Sequence, residues 1–136
     1  MMIKITGSCL CGTVKYSVNA DFEMSGNCHC RTCRKNTGGA FEAFAIISRE
    51  NLTFLAGEAS LVQYRISPKA KKHFCGTCGT PVFNQHRLAP GKLIVHVGTL
   101  DDPACVAPAV NLYCASMLPW VAEISSLKNF DQGFTR

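Results

Sequence analysis

Phe74-Cys75-Gly76-Thr77-Cys78-Gly79-Thr80-Pro81 reads Cys-Gly-Thr twice in succession, and Cys11-Gly12-Thr13 carries the same tripeptide near the start of the chain. Glycine after a cysteine lets the backbone turn with positive φ and aim N–H groups at the sulfur. Such N–H···S bonds surround the ligands of structural zinc sites. Cys9, Cys11, Cys75 and Cys78 therefore read as one closed site of four thiolates. The two halves are more than sixty residues apart. A shared ion would close a long loop and pin the N-terminal strand against the Cys75 hairpin, so metal is expected to stabilise the fold.

A third cluster differs in its neighbours. Cys28, Cys30 and Cys33 are followed by His29, Arg31 and Arg34, with Lys35 next, and no glycine follows any of the three sulfurs. Three thiolates leave one tetrahedral position of a zinc ion for water or a substrate sulfur, and zinc accepts soft donors well. Flanking cations lower thiol pKa values and attract anions, which makes Arg31, Arg34 and Lys35 candidates for binding substrate carboxylates. A closed second site has three alternatives for its fourth ligand. His29 would have to fold its ring back between two ligands. Cys105 is one unassigned thiol, and Cys114, in the apolar run Leu112-Tyr113-Cys114-Ala115, is the other.

The remaining titratable residues form no recognisable catalytic set. Glu23 and Glu42 flank the middle cluster and could assist proton transfer, but read as solvent-facing. His73 reads as a surface residue or a proton carrier near the first site; His86 and His96 read as ordinary loop and strand residues. An odd cysteine total of 9, the strain of a bridge within Cys-x-Cys, and the lack of a secretion signal over Met1 to Thr6 argue against a disulfide framework. The expectation is a cytoplasmic protein with reduced thiols.

The chain has 136 residues, 47% hydrophobic and 17% charged, which suits one globular domain. Its formal charge of +5 overstates its basicity. Seven metal-bound thiolates and two zinc ions would bring it to about +2. The densest basic patch, Lys69 to His73, is short, and no basic stripe interleaved with aromatics suggests nucleic acid. No apolar run approaches a membrane span.

Short β-favouring runs dominate: Thr13 to Val18, Phe41 to Ile47, Leu52 to Leu55, Leu61 to Ile66, Lys72 to Cys75, Pro81 to Phe83, Leu93 to Val97 and Val110 to Cys114. A single helical turn fits Arg31 to Thr37. Many short strands without a long amphipathic helix predict an all-β fold.

With these residues in place, the chain resembles the glutathione-dependent formaldehyde-activating family, which includes centromere protein V. The resemblance rests on Gly7 to Val14, Cys28 to Lys35 and Phe74 to Pro81, supported by Gly98-Thr99-Leu100-Asp101-Asp102-Pro103 and Leu118-Pro119-Trp120. It implies an Mss4-like fold of antiparallel sheets, as a single domain over residues 1–136. It implies two zinc ions: a structural one on Cys9, Cys11, Cys75 and Cys78, and a catalytic one on Cys28, Cys30 and Cys33. The implied activity is a carbon–sulfur lyase reaction, the condensation of glutathione with formaldehyde to S-hydroxymethylglutathione. One departure bears on the substrate rather than on the metal ligands. Asn111 and Leu118 stand where the family often has a histidine and a basic residue.

Two function classes follow: a zinc-dependent enzyme acting on a thiol–aldehyde adduct, or a carrier that binds glutathione or another thiol without chemistry. Both need the same division of the cysteines. Metal analysis of the purified protein is expected to find about two zinc ions per chain, falling to about one in Cys30→Ser with the fold retained.

Overall fold

The computed structural model describes residues 3–19 and 21–134. Met1 and Met2, part of the stretch read for a secretion signal, lie outside the described residues. Among the described residues ten strands and one α-helix run in the order β1 (Lys4–Ser8), β2 (Lys15–Asn19), β3 (Met24–Cys28), α1 (Arg31–Thr37), β4 (Glu42–Ser48), β5 (Leu52–Ala56), β6 (Leu61–Ser67), β7 (Ala70–Cys75), β8 (Pro81–His86), β9 (Lys92–His96) and β10 (Val110–Leu112). The expected all-β, Mss4-like architecture is what the chain adopts. A three-stranded sheet, β1-β2-β5, faces a seven-stranded sheet, β10-β3-β4-β9-β8-β7-β6. All pairings are antiparallel except β10 with β3.

The period of two sorts the central strands onto two faces. Ala45, Ile47, Phe83, Leu93 and Val95 turn toward the core and pack with Val14, Tyr16 and Val18. Glu42, Phe44, Ile46, Asn84 and Ile94 line a cavity on the other face. A strand covered on both faces carries a near-continuous apolar run, and Phe41 to Ile47 has that pattern.

Two strands escaped the sequence pattern. β1 is held by β2 and by a bridge from Gly7 to Leu100. β3, Met-Ser-Gly-Asn-Cys, has a turn-like composition, yet pairs with β4 on one side and β10 on the other. Gly26 permits that closeness, because a Cβ there would stand 2.6 Å from the Val110 carbonyl oxygen. The run Val110 to Cys114 is strand only to Leu112; Tyr113 takes φ 57° and turns the chain. The single helical turn becomes α1, which Gly38 stops in the left-handed conformation. Among the described residues no helix is long and apolar enough to cross a membrane.

Gly57 has φ 77°, and a Cβ there would collide with the Thr13 carbonyl, whereas Gly91 has φ 73° and open space around it. In urea denaturation, Gly91→Ala is expected to lose about 1 kcal/mol, the left-handed penalty alone. Gly57→Ala is expected to lose more than about 2 kcal/mol, since backbone must also shift.

Candidate metal centres

Two turns build the first centre. In the N-terminal turn the Gly12 N–H donates to the Cys9 carbonyl, and the Val14 N–H lies 3.3 Å from Cys9 Sγ. In the β7–β8 turn the Gly79 N–H donates to the Cys75 carbonyl, and the Thr77 N–H lies 3.4 Å from Cys75 Sγ. The Leu10 N–H joins the turns by donating to Thr80 Oγ1 at 3.0 Å. Gly12 and Gly79 have the expected positive φ, at 81° and 80°. Gly76 does not; glycine is needed there for close approach, with Val62 and the Ser60 carbonyl about a Cβ's breadth away.

The Sγ atoms of Cys9, Cys11, Cys75 and Cys78 all lie within 4.8 Å of one another. Cys9 to Cys11 is 3.6 Å and Cys11 to Cys75 is 3.9 Å. A zinc tetrahedron with bonds of about 2.3 Å has edges of about 3.8 Å, so the donor set fits that ion. The threonines of the tripeptides tune the exposed Cys11 and the half-buried Cys78. The Thr80 hydroxyl and N–H bring Cys78 down to about 5, and Thr13 lowers Cys11 in the same way. Burial raises Cys9.

The second centre gathers Cys28 at the end of β3, Cys30 as the N-cap of α1, and Cys33 in the first turn of α1. Their sulfurs also lie within 4.8 Å of one another, with Cys28 to Cys30 at 3.6 Å. The cluster can hold a metal ion, and no fourth His, Cys, Asp or Glu among the described residues joins it. Cys30 accepts the Cys33 N–H at 3.3 Å. Burial acts against ionisation of Cys30, but that bond and those to neighbouring thiols outweigh it and lower its pKa. Burial raises Cys28. Burial, then the Glu42 charge, pushes Cys33 far up.

Glu42 is buried, at 3% exposure, and not solvent-facing. Its Oε2 is 3.2 Å from Cys33 Sγ. Its Oε1 accepts from Asn36 at 3.2 Å and Asn84 at 3.0 Å, and lies 3.0 Å from His96 Nε2. His96 is thus no ordinary strand residue; burial holds its pKa below the usual histidine value. Among the described residues no lysine or arginine pairs with Glu42. A carboxylate buried beside sulfurs without a lysine or arginine calls for compensating positive charge, which a metal ion on the cluster would supply. The cluster and Glu42 stand at one end of a cavity of about 390 Å³ on the outer face of the seven-stranded sheet. Phe44, Ile46, Ile66 and Ile94 make its apolar wall, and Leu112 and Tyr113 border it.

The other candidates lie elsewhere. Arg31, Arg34 and Lys35 do not line the cavity. Arg34 instead donates to the carbonyls of His29 and Ser116, at 2.9 and 2.7 Å, tying α1 to the chain after β10. His29 is buried against Phe41, and its Nε2 meets Asn111 Oδ1 at 3.1 Å, outside the sulfur cluster. Cys105 and Cys114 are exposed and join neither cluster, and Cys114 lies beyond the end of β10 at Leu112. Glu23 is exposed and pairs with Lys92. His73 is buried, stacked on Phe83 and bonded to Gln85 at 2.8 Å, so it is not a surface residue. Asn84 and Tyr113 had no signal in the sequence, because they meet the cluster only through strands far apart in the chain; Asn36, six residues from Glu42, is a neutral amide that no spacing rule singles out.

Residues 4–116 match the family described as glutathione-dependent formaldehyde-activating enzyme. The chain belongs to this family. The match includes all seven clustered cysteines and stops short of Leu118-Pro119-Trp120. Membership in the glutathione-dependent formaldehyde-activating family supports a function of that kind for this chain. The chain is also similar to a Rhodobacter sphaeroides protein of known crystal structure, with a TM-score of 0.64 and 29% identity, over 79% of this chain and 99% of that one.

The buried His96 makes a test of the network. In the unfolded chain it gains a proton as pH falls through about 6.5, while in the fold its lowered pKa keeps it neutral. The unfolded state then binds more protons, so stability is lost as pH falls below about 6.5. Between about pH 7.5 and 5.5 the urea midpoint is expected to fall further in the wild type than in His96→Gln.

Proposed function

We propose that the protein is a zinc-dependent enzyme of the carbon–sulfur lyase class that joins a thiol to an aldehyde, as in glutathione and formaldehyde giving S-hydroxymethylglutathione. One observation carries the reading: the three-sulfur cluster opens on a cavity beside Glu42, a buried carboxylate with one oxygen directed at Cys33. Zinc held by Cys28, Cys30 and Cys33 would supply a soft Lewis acid for the substrate sulfur. The four-cysteine centre would hold a second, structural zinc. Thiols ready for metal suit a reducing compartment, the cytoplasm.

The remaining work falls to this chain's own side chains. Asn36, Asn84 and His96 fix Glu42 Oε1, which leaves Oε2 to receive the proton of an incoming thiol. The sulfur then forms its bond to the aldehyde carbon while the carbonyl π pair moves to oxygen. Glu42 Oε2 returns the proton to that oxygen, so the enzyme ends as it began. The apolar wall of Phe44, Ile46 and Ile94 limits competing water.

Zinc-loaded protein, mixed with glutathione and isotope-labelled formaldehyde, is expected to speed adduct exchange measured by NMR. Glu42→Gln should lower the rate by about a hundredfold or more with little change in thiol affinity. A wild-type rate equal to the uncatalysed mixture would overturn the reading, and saturable thiol binding without acceleration would make the protein a carrier.

A further inference from the structure

On the cavity face of the seven-stranded sheet, the residues that follow Glu42 along β4 are Phe44 and Ile46. Pairing sets Ile94 of β9 beside Ile46, and Ile66 of β6 extends the same apolar strip. An antiparallel sheet with one open face normally carries polar residues there. Among the described residues no further element crosses this strip. The cavity is lined by the sheet strands, by α1 and its N-cap at the sulfur end, and by Tyr113 at the rim. Ile46, Ile66 and Ile94 are half-buried, and Tyr113 is 67% exposed. Contiguous apolar surface left open beside polar groups marks a place where an apolar ligand binds.

Charge points the same way. No lysine or arginine lines the cavity, and Glu42 is its one acid. Lys72 stands opposite Asn84 on this face but does not line the cavity. Its ammonium lies over the Tyr64 and Phe74 rings, 5.9 and 5.3 Å from their centroids. A ligand body bearing carboxylates would lose hydration against this wall and gain no ion pair. An uncharged apolar body would gain burial along its length.

The order of groups along β4 decides which reactant owns that body. Cys28 pairs with Glu42, and Glu42 Oε2 lies 3.2 Å from Cys33 Sγ. With the thiol sulfur at the cluster, the carbonyl oxygen must come to Glu42 Oε2 to take its proton. The carbonyl compound therefore lies on the Glu42 side, and its substituent faces Phe44 and Ile46. From Glu42 to Ile46 the strand rises about 13 Å, the length of an extended chain of about ten bonds. Formaldehyde, with two heavy atoms, would touch little of this wall and leave it to water.

We propose that the preferred carbonyl substrate is an apolar aldehyde of about six to ten carbons, its chain or ring lying along Phe44, Ile46, Ile66 and Ile94. The inference rests on the reading that the thiol binds at Cys28, Cys30 and Cys33. The bonds balance as for formaldehyde. The thiol proton passes to Glu42, sulfur bonds the aldehyde carbon, and the carbonyl π pair takes the proton back as a hydroxyl. The product is a hemithioacetal, and nothing is oxidised or reduced.

Two measurements on the zinc-loaded protein test it. Calorimetry with acetamide, butanamide and hexanamide uses unreactive carbonyl compounds of rising length, and affinity is expected to rise about fourfold per added methylene. NMR exchange with glutathione compares formaldehyde with hexanal. The acceleration over each uncatalysed rate is expected to be at least about tenfold greater for hexanal. Ile46→Thr and, separately, Ile94→Thr should each lower hexanamide affinity and the hexanal preference by about fourfold or more. Amide affinity that ignores chain length, or an acceleration of formaldehyde equal to that of hexanal, overturns the proposal and leaves the lyase reading standing. Length-dependent amide binding with neither aldehyde accelerated would keep the apolar carbonyl site and remove the lyase reading instead. A dimer that both substitutions dissolve would give the wall to a second copy of the chain and overturn the proposal.

Discussion

Four sulfurs drawn from two turns 64 residues apart, Cys11 to Cys75, set the constraint on which the rest of the structure depends. Thiolates 3.6 to 3.9 Å apart repel one another strongly. A divalent ion at their centre would convert that repulsion into a cross-link, and the spacing fits a zinc tetrahedron. Such a cross-link would fix the N-terminal turn on the β7–β8 turn, where the Leu10 N–H already bonds Thr80, and so hold β1, β2 and β5 over the core face of the larger sheet. Tyr16 shows how tightly the two layers meet. It is wholly buried, its hydroxyl is 2.6 Å from Thr99 Oγ1, and burial pushes its pKa up to about 12.

With one face of the seven-stranded sheet covered by the smaller sheet, its other face is free for chemistry. The same alternation that puts Ala45, Ile47, Leu93 and Val95 in the core puts Glu42, Asn84 and His96 on the cavity side. A slip of one residue in β4 would exchange the two sets. The core therefore holds the register Cys28 opposite Glu42 and Phe44 opposite His96. Packing energy on one side of the sheet thus positions a buried carboxylate on the other, 3.2 Å from Cys33 Sγ.

The strand pattern was largely legible because most strands alternate or run apolar, and the division of the cysteines was legible because glycines follow one set and cations the other. β1 and β3 were not legible. Met-Ser-Gly-Asn-Cys has no β propensity of its own, and becomes a strand only between β4 and β10. Glu42 and His96 were misjudged for a related reason. Their neighbours in sequence say nothing of burial, and their partners come from α1 and β8. The cations after the middle cysteines are a third case, close to the cluster in sequence but outside the cavity lining. They lie on a seven-residue helix, where Arg34 bonds the carbonyls of His29 and Ser116.

Sequence by itself determined the chemistry that can occur: which sulfurs act as two groups, that one group has four members and the other three, and that short strands would carry them. Those are local properties, written in cysteine spacing, in glycines that permit turns and in the period of two. Tertiary structure alone decided what faces the three-sulfur group. The buried Glu42 and the Asn84 and His96 that hold it come from strands distant in the chain. They meet because the sheet order and its register set them side by side, and no local pattern encodes that order.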